Sequence, residues 1–287
     1  MTTTPLVSVL MTSYNREKYI GQAIESVLAS DYANLELIIV DDISKDNTVA
    51  IAKEYASRDP RVKVFINEKN LGDYPNRNQA AAYASGKYLK YVDSDDFIYP
   101  WGLSLLVRMM EQYPESGFGL CSLLQYVKKP YPFLLQPREA YEYNYQKQEI
   151  FHKAPLSAIF KTEAFRKVGG FSALRMVGDF EMWHKMALQF PVVLMPDGIV
   201  WYREHEEQEM SSFDKFARKY DEIMLQYLTH PQCPLSRQEV RDILVKKRRS
   251  LLRSMLNNLT RFRVSGATAN WKSRRFFGAA LNNLLPK

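Results

Sequence analysis

The sequence is poor in cysteine. Its two cysteines, Cys121 and Cys233, have no metal-ligand spacing, and nothing around them suggests a disulfide framework. This argues against a cysteine-based metal site and against a small scaffold held together by disulfides. A reducing compartment such as the cytoplasm fits this cysteine usage best.

Long apolar runs are also missing. No run approaches the roughly 18 residues that a membrane-spanning helix needs. The first residues, Met-Thr-Thr-Thr-Pro, lack the basic and apolar regions of a signal peptide. We therefore expect a cytoplasmic location. The composition, with 46% apolar and 25% charged residues among 287, is that of a globular protein with one large α/β domain and an appendage.

Acidic residues become scarce towards the end of the chain. From Ser211 onward there are 16 lysines and arginines against 5 aspartates and glutamates, a net charge of +11. The chain totals of 39 and 32 leave 23 and 27 for the preceding residues, a net charge of −4. Such asymmetry indicates a polyanionic partner, either a membrane surface or nucleic acid. Because no nucleic-acid recognition module is recognisable, nucleic acid is the less favoured of the two.

The basic tail predicts three helices, at about residues 213–228, 236–259 and 270–285. The second and third carry apolar stripes flanked by lysines and arginines. Two interpretations stay open. The stripes pack on the rest of the protein, or the helices bind an anionic membrane, which would place the protein peripherally on the inner face of the cytoplasmic membrane.

The first hundred residues alternate between strand-like and helical segments. Apolar runs predict four strands, at residues 6–12, 35–40, 62–66 and 88–92. Helical segments with short connections between them predict a doubly wound, mostly parallel sheet flanked by helices. Polar clusters follow three of these strands, at residues 12–15, 41–42 and 93–96. We expect the three clusters to lie along one edge of the sheet.

Three carboxylates follow the fourth predicted strand directly: Asp93, Asp95 and Asp96. Because residues i and i+2 of a strand project to the same side, Asp93 and Asp95 are expected to point at one place beyond the strand's end. Open α/β sheets bind ligands there. Two like charges held close together call for a cation between them, and a hard divalent ion suits oxygen ligands. The pattern predicts a metal site that holds a phosphorylated donor, whereas a solvated loop or helix cap is the alternative.

Seven short elements follow one another along the chain. They are Val7-Ser-Val-Leu-Met-Thr-Ser-Tyr-Asn15; Glu36-Leu-Ile-Ile-Val-Asp-Asp42 with Ser44 and Asp46; Asn70-Leu-Gly72 with Arg77-Asn78; Gly86 followed by Val92-Asp-Ser-Asp-Asp96; Val168-Gly-Gly-Phe171; Gly178-Asp179; and Tyr202-Arg203-Glu-His205. In this order they resemble the family 2 glycosyltransferases, which are inverting enzymes with the A-type nucleotide-sugar fold. The resemblance covers roughly residues 6–211.

The resemblance implies a Rossmann-like catalytic domain over residues 1–211. Nucleotide-sugar binding would occupy about residues 1–100, and the acceptor side about residues 101–211. Within the acceptor side, residues 118–149 are rich in tyrosine and proline, and we expect an irregular, substrate-facing segment there. Residues 212–287 would form the basic helical extension.

The family's donor-site roles fall on eight positions of this chain. By resemblance, Thr12 and Tyr14 would border the nucleotide base, and Asp41 and Asp42 would hydrogen-bond the base or ribose. Arg77 would lie near the base and phosphates. Asp93 would reach the ribose or a metal-bound water, and Ser94 would belong to the same nucleotide-sugar site. Asp95 would ligate the Mn²⁺ or Mg²⁺ that bridges the diphosphate.

Two further positions carry family roles: Asp179 as the catalytic base, and His205 as a second metal ligand. Plainer readings stay open for several of these residues. Asp179 suits a helix N-terminus, His205 lies between two glutamates, Arg77 fits a surface helix, and Asp41 with Asp42 fits a turn cap. The chain also departs from the family, which commonly has Glu-Asp at Gly178-Asp179 and a small residue at Asn76. In this chain Tyr74-Pro75 stiffen the loop before Asn76.

The function implied is a metal-dependent inverting hexosyl or N-acetylhexosaminyl transfer. The donor would be a nucleotide-diphosphate sugar, with UDP as the expected nucleotide. The acceptor would be a hydroxyl of a glycan or lipid-linked glycan, as in bacterial surface polysaccharide synthesis. One alternative is a sugar nucleotidyltransferase, although Thr12-Ser-Tyr-Asn-Arg16 stands where such enzymes have a glycine-rich loop. Another is a non-catalytic scaffold that binds membrane or nucleic acid.

Overall fold

The computed structural model describes residues 4–126, 128–205, 213–260 and 264–283. These residues fall into two units: residues 4–140 with 150–205, and residues 141–149 with 213–283. The predicted domain boundary at residues 211 and 212 lies outside the described residues.

An eight-stranded sheet organises the first unit. The strands of this unit, in chain order, are β1 Val7–Ser13, β2 Leu35–Asp41, β3 Val62–Ile66, β4 Tyr88–Tyr91, β5 Phe97–Ile98, β6 Phe118–Leu123, β7 Phe133–Leu135, β8 Ala158–Lys161, β9 Val192–Pro196 and β10 Val200–Trp201. Strands β5 and β10 form a separate two-stranded sheet, and the other strands form the large sheet. The order across the large sheet is β3-β2-β1-β4-β8-β6-β9-β7. The first four strands run parallel, whereas β8 is antiparallel to both of its neighbours, β4 and β6.

Helices connect these strands. Those that begin in the first unit are α1 Ile20–Leu28, α2 Thr48–Arg58, α3 Asp73–Ala82, α4 Gly102–Glu111, α5 Pro137–Glu142, α6 Thr162–Lys167 and α7 Gly178–Gln189. Strands β1 and β2 are almost entirely buried, as expected for apolar runs covered on both faces of a parallel sheet. The predicted class, a mostly parallel sheet flanked by helices, is confirmed.

The register of the central strands aligns their polar ends. Ser13 at the end of β1 is paired with Asp41 at the end of β2, and β4 runs parallel to β1 on its other side. The prediction that the three polar clusters share one sheet edge is therefore confirmed.

The segment 118–149 is more regular than predicted. It contains β6, which lies between β8 and β9 inside the sheet, then β7, α5 and one turn of π-helix at Tyr143–Lys147. Because β6 contains several small residues, its sequence did not indicate a strand. A Cβ on Gly119 would come within 2.5 Å of Met195 Cε and 3.0 Å of Met110 Sδ, so the glycine leaves room in which these two methionine side chains pack.

Three long helices make up most of the second unit: α8 Phe213–Leu228, α9 Arg237–Thr260 and α10 Val264–Asn283. Helix α10 packs along α9, and Leu244 and Phe277 are fully buried. Part of the predicted apolar stripe is thus used in packing between these helices. Among the described residues, no helix combines the length and the apolar character that crossing a membrane requires.

Candidate active site

The candidate site lies at the edge where β1, β2 and β4 end. The chain leaves β1 through residues 14–19, β2 through residues 42–47, and β4 through residues 92–96. The carboxyl ends of parallel strands are where open α/β sheets bind ligands. A cavity of about 360 Å³ opens here and is lined by Tyr14, Asn15, Arg16, Glu17, Lys18, Tyr19 and Asp46.

One carboxylate oxygen of Asp95 contacts two side-chain nitrogens. Arg16 Nε donates a hydrogen bond to Asp95 Oδ2 over 2.9 Å, and His205 Nε2 lies 3.1 Å from the same atom. The side chains of Asp95 and His205 are 16% and 8% exposed. The interpretation of His205 as a surface histidine is therefore wrong, because its ring is buried against the carboxylate and 4.8 Å from the Tyr19 ring.

Arg203 fastens the segment that carries His205 to the end of β4. Its backbone N–H donates to Asp96 Oδ1 over 3.0 Å, and its Nε donates to the backbone oxygen of Asp95 over 2.8 Å. The guanidinium also covers the Tyr19 ring at 5.2 Å. These contacts bring together residues more than a hundred positions apart. Asp96 therefore stabilises the segment around Arg203 by accepting this hydrogen bond.

Asp93 pairs with a different cation. Arg77 Nη1 lies 2.5 Å from Asp93 Oδ1, while Arg77 Nε bonds Asp73 Oδ1 over 2.7 Å. Arg77 is 8% exposed and lies 5.7 Å from the centre of the Tyr91 ring. A surface-helix role for Arg77 is thus wrong. Burial raises the pKa of the Asp93 carboxyl, and the Arg77 guanidinium counteracts that rise.

Among the described residues, Asp93 and Asp95 pair with different side chains, Arg77 for the first and Arg16 with His205 for the second. Strand β4 ends at Tyr91, and a turn follows in which the Asp96 N–H donates to the Asp93 carbonyl over 3.0 Å. The alternation of side chains therefore stops before the carboxylates. Ser94, between them, is buried.

Asp41 and Asp42 are buried and hold neighbouring loops. Asp41 accepts hydrogen bonds from the Ser13 hydroxyl at 2.9 Å and from the Ser44 hydroxyl at 2.5 Å. Asp42 accepts from the Asn67 side chain and from the backbone N–H groups of Leu71 and Gly72, each at 2.8 Å. Both carboxylates thus hold the loops that border this sheet edge. Their contact with a base or ribose stays a prediction.

Thr12 and Tyr14 flank the end of β1. Thr12 is paired with Val40 of β2 and is partly buried, whereas Tyr14 is 45% exposed and lines the cavity. An exposed aromatic ring beside a polar cavity is suited to stacking on a nucleotide base. The structure brings the residues predicted for the nucleotide to one edge, with Tyr14 as the member most open to solvent.

Asp179 lies in the first turn of α7 and is partly buried. Its Oδ1 accepts a hydrogen bond from the Phe180 N–H over 2.7 Å, and the Tyr74 hydroxyl lies beside the same carboxylate and lowers its pKa. Burial raises the pKa of Asp179 to about 6, partly offset by these two groups. A carboxyl group poised near neutral pH is suited to accept a proton.

Two residues in these contacts, Arg16 and Tyr74, were not predicted as site residues. Arg16 follows β1 by three positions and faces Asp95; Tyr74 is the second residue of α3 and lies beside Asp179. The signal was present but indirect. A carboxylate withdrawn from water requires a cation or hydrogen-bond donor nearby. Arg16 stands two positions after Tyr14, and Tyr74 stands three positions before Arg77.

The described side chains offer two ligands for a divalent ion, Asp95 and His205. Within the described ranges no group of three or more His, Cys, Asp or Glu side chains is arranged to hold a metal. Asp95 and His205 nevertheless place an oxygen and a nitrogen 3.1 Å apart. Neighbouring ligands of an octahedral ion with bonds of about 2.1 Å stand roughly 3 Å apart. Two protein ligands fit an ion that completes its shell with water and phosphate oxygens.

Known proteins resemble this chain in sequence and in fold. An uncharacterised glycosyltransferase of Haemophilus influenzae is 43% identical over 123 residues, covering 42% of this chain and 49% of the relative. The Escherichia coli UDP-Glc:alpha-D-GlcNAc-diphosphoundecaprenol beta-1,3-glucosyltransferase WfgD is 43% identical over 105 residues, covering 37% of this chain and 41% of the relative. The chain thus spans about half or less of the length of these two relatives.

The fold also matches a solved structure. Residues 1–349 of S. aureus TarS, crystallised in complex with UDP-GlcNAc, superpose with a TM-score of 0.64 at 19% identity, covering 94% of this chain and 91% of that one. The likeness identifies the A-type glycosyltransferase fold. The model of glycosyl transferase family 2 matches residues 8–169, which is more than half of the chain. With the motifs in order along the sequence and their side chains gathered at one sheet edge, this chain belongs to glycosyl transferase family 2.

Proposed function

We propose that this protein transfers a sugar from a nucleotide-diphosphate sugar, with UDP as the expected nucleotide, to a hydroxyl of a glycan or lipid-linked glycan. The observation that carries the proposal is the pairing of two strand-end carboxylates, Asp93 and Asp95, with Arg77 and Arg16 at the ligand-binding edge of a family 2 fold. The relative WfgD supports the donor and the acceptor class, because its name states a UDP-sugar donor and a lipid-linked acceptor.

The donor half of the site would hold the nucleotide and the diphosphate. Tyr14 would stack on the base, and the buried pair of Arg77 and Asp93 would present a guanidinium close to the ribose and phosphates. Arg16, on the other side of the turn, adds positive charge beside Asp95. Fixed cations at this place favour the departing diphosphate, since its charge increases as the glycosidic bond breaks.

Asp95 and His205 are the residues that would hold a divalent cation, Mn²⁺ or Mg²⁺. The ion would neutralise charge on the diphosphate oxygens. The chain provides one carboxylate and one imidazole for it, 3.1 Å apart and largely withdrawn from water. Arg203 keeps the two ligands together by tying residue 203 to the backbone of Asp95.

The acceptor half would depend on Asp179. Its carboxylate would take the proton of the acceptor hydroxyl as the acceptor oxygen bonds the anomeric carbon and the bond to the diphosphate breaks. Attack from the face opposite the diphosphate inverts the anomeric configuration, and no covalent sugar–enzyme intermediate is needed. The raised pKa of Asp179, about 6, favours proton acceptance near neutral pH.

The proposal is tested by incubating the full chain with UDP-, GDP- and dTDP-sugars in the presence of Mn²⁺ or Mg²⁺. We expect nucleotide diphosphate to be released from one or more UDP-sugars, and release to stop when EDTA removes the metal. The proposal would be contradicted if the chain neither bound nor cleaved any of these donors. Formation of pyrophosphate from a nucleoside triphosphate and a sugar 1-phosphate would instead identify a nucleotidyltransferase.

For the C-terminal helices we propose contact with an anionic membrane. Lys246, Arg249, Arg253 and Leu256 follow one another at intervals of three and four along α9, and all are exposed. This spacing places them on one helix face. On α10 the exposed Trp271 lies under the Arg275 guanidinium at 4.9 Å. Exposed cations beside apolar side chains are suited to the surface of an anionic bilayer.

Vesicle binding tests this surface. The wild-type chain is expected to sediment with vesicles of phosphatidylcholine and phosphatidylserine, and not with phosphatidylcholine alone. Lys246→Gln/Arg249→Gln/Arg253→Gln should weaken binding about 100-fold, because each basic residue contributes about 1 kcal/mol at such a surface. The matched control, Lys53→Gln/Arg108→Gln/Lys167→Gln, removes the same charge from exposed positions of the first unit. Equal binding by both triple variants would contradict the assignment.

A further inference from the structure

Gly178 begins α7 in a conformation that any residue can adopt. The described glycines with positive φ are at positions 72, 169, 170 and 198, so the backbone does not require glycine at 178. The surroundings do. A Cβ placed on Gly178 would lie 2.7 Å from both Cδ2 and Cε2 of Tyr74, and 2.9 Å from its Cζ. The aromatic ring of Tyr74 occupies the space that any side chain at this position would need.

Tyr74 is held in place from several directions. It is the second residue of α3, is followed by Pro75, and is only 4% exposed. Its ring lies against the backbone of Gly178, and its centre is 5.3 Å from that of the Phe171 ring. A buried ring with neighbours this close cannot swing away without disturbing them. The position of its hydroxyl is therefore fixed by packing.

The hydroxyl of Tyr74 meets the proposed base. It lies beside the Asp179 carboxylate and lowers the pKa of that group. Burial and the Asp179 charge raise the pKa of Tyr74 well above its ordinary value. Tyr74 therefore remains an O–H donor throughout the neutral range. The Phe180 N–H donates a hydrogen bond to this carboxylate over 2.7 Å.

From this geometry we infer that Tyr74 is a positioning residue for the Asp179 carboxylate, and that glycine at position 178 provides the room its ring needs. The inference rests on the proposed function, in which Asp179 accepts the acceptor's proton. Two of the departures of this chain from its family, at Tyr74 and Gly178, are thereby explained by one contact. A tyrosine from α3 approaches the base through the space that glycine leaves open on α7.

The inference predicts how the titration of Asp179 responds to the loss of the hydroxyl. A hydrogen bond to the charged form of a carboxyl group lowers its pKa, so its removal should raise the pKa further. The other charged groups that face Asp179 are Asp73, which raises its pKa, and Arg77, which lowers it. Both remain in a Tyr74→Phe variant, so the shift reports the hydroxyl alone.

The experiment compares wild type and Tyr74→Phe by the pH dependence of kcat/KM for transfer. We expect the acid limb, near pH 6 in the wild type, to move upward by about 0.5 to 1 pH unit. The kcat at pH 7 should fall several-fold, with the KM for the donor unchanged. A purely structural tyrosine would lower stability and leave the limb in place, and that result would overturn the inference.

A second variant pair tests the steric part. Gly178→Ala should lower kcat about tenfold in the wild-type background, because its methyl group displaces the Tyr74 ring. In a Tyr74→Ala background the same substitution should cost little. Gly21→Ala is the matched control: this glycine also lies in a helix, but its added Cβ would meet nothing nearer than 3.5 Å. Equal losses from Gly178→Ala in both backgrounds would show that the ring is not the reason for glycine.

Carbon-13 titration of the Asp179 carboxyl, assigned with Asp179→Asn, separates this inference from the proposed function because it needs no substrate. An upward shift in Tyr74→Phe together with an inactive wild type would support the positioning role and contradict the proposed transfer. An unchanged titration, with or without activity, would overturn the positioning role.

Discussion

Asp179→Asn is expected to lower kcat for sugar transfer by about 100- to 10,000-fold, the range that a general base contributes. The amide has the shape of the carboxylate but cannot accept the acceptor's proton. The dissociation constant of UDP should stay within about twofold, because the predicted donor contacts are at the strand edge, with Tyr14, Arg77 and Asp95. Steady-state transfer and calorimetry with UDP measure the two quantities.

The control for this substitution is Asp197→Asn, which changes an exposed aspartate of the same unit. It should transfer sugar at the wild-type rate. In the wild type, kcat/KM should fall about tenfold for each pH unit below about 6, since only the deprotonated Asp179 accepts a proton. Full activity of Asp179→Asn would show that another group is the base.

Asp95→Asn is expected to lower transfer about 100- to 1,000-fold at a fixed, limiting concentration of Mn²⁺. The substitution removes the negative charge that would attract the ion, and with it much of the charge stabilisation that a metal provides at a leaving diphosphate. The loss should shrink as Mn²⁺ is raised, because the amide oxygen and His205 remain. Transfer rates measured across a Mn²⁺ series check this dependence.

Asp31→Asn is the matched control, because Asp31 is exposed and its carboxylate accepts from the Ser104 hydroxyl. Its Mn²⁺ dependence should coincide with that of the wild type. If Asp95→Asn lost activity equally at every Mn²⁺ concentration, Asp95 would act through its bond with Arg16 and not as a metal ligand.

The fold was predictable because the strands that define it are apolar runs that end in polar residues. Strands β1, β2 and β4 are recognisable one by one, and the parallel arrangement follows from the short helical connections between them. Strand β6 was missed for a physical reason. Gly119 is small where two methionines and Ile159 approach, and with Cys121 and Ser122 also small, β6 lacks the branched side chains that mark a strand.

The candidate site was predictable in its residue types and less so in its contacts. The sequence places carboxylates after β2 and β4, but it does not show which way each side chain points. Asp41 and Asp42 turn towards loop hydroxyl and N–H groups, whereas Asp95 meets Arg16 and, from 110 positions away, His205. No local pattern encodes a contact of that separation, and only the resemblance to a family suggested it.

The strand-end site is expected to hold UDP through a divalent ion ligated by Asp95 and His205. Calorimetric titration of the wild-type chain with UDP, in the presence and absence of Mn²⁺, tests this claim. Binding that is at least tenfold tighter with Mn²⁺, and that loses this gain in Asp95→Asn, is the result we expect. Equal affinity for UDP with and without the metal, or no affinity in either case, would contradict the claim.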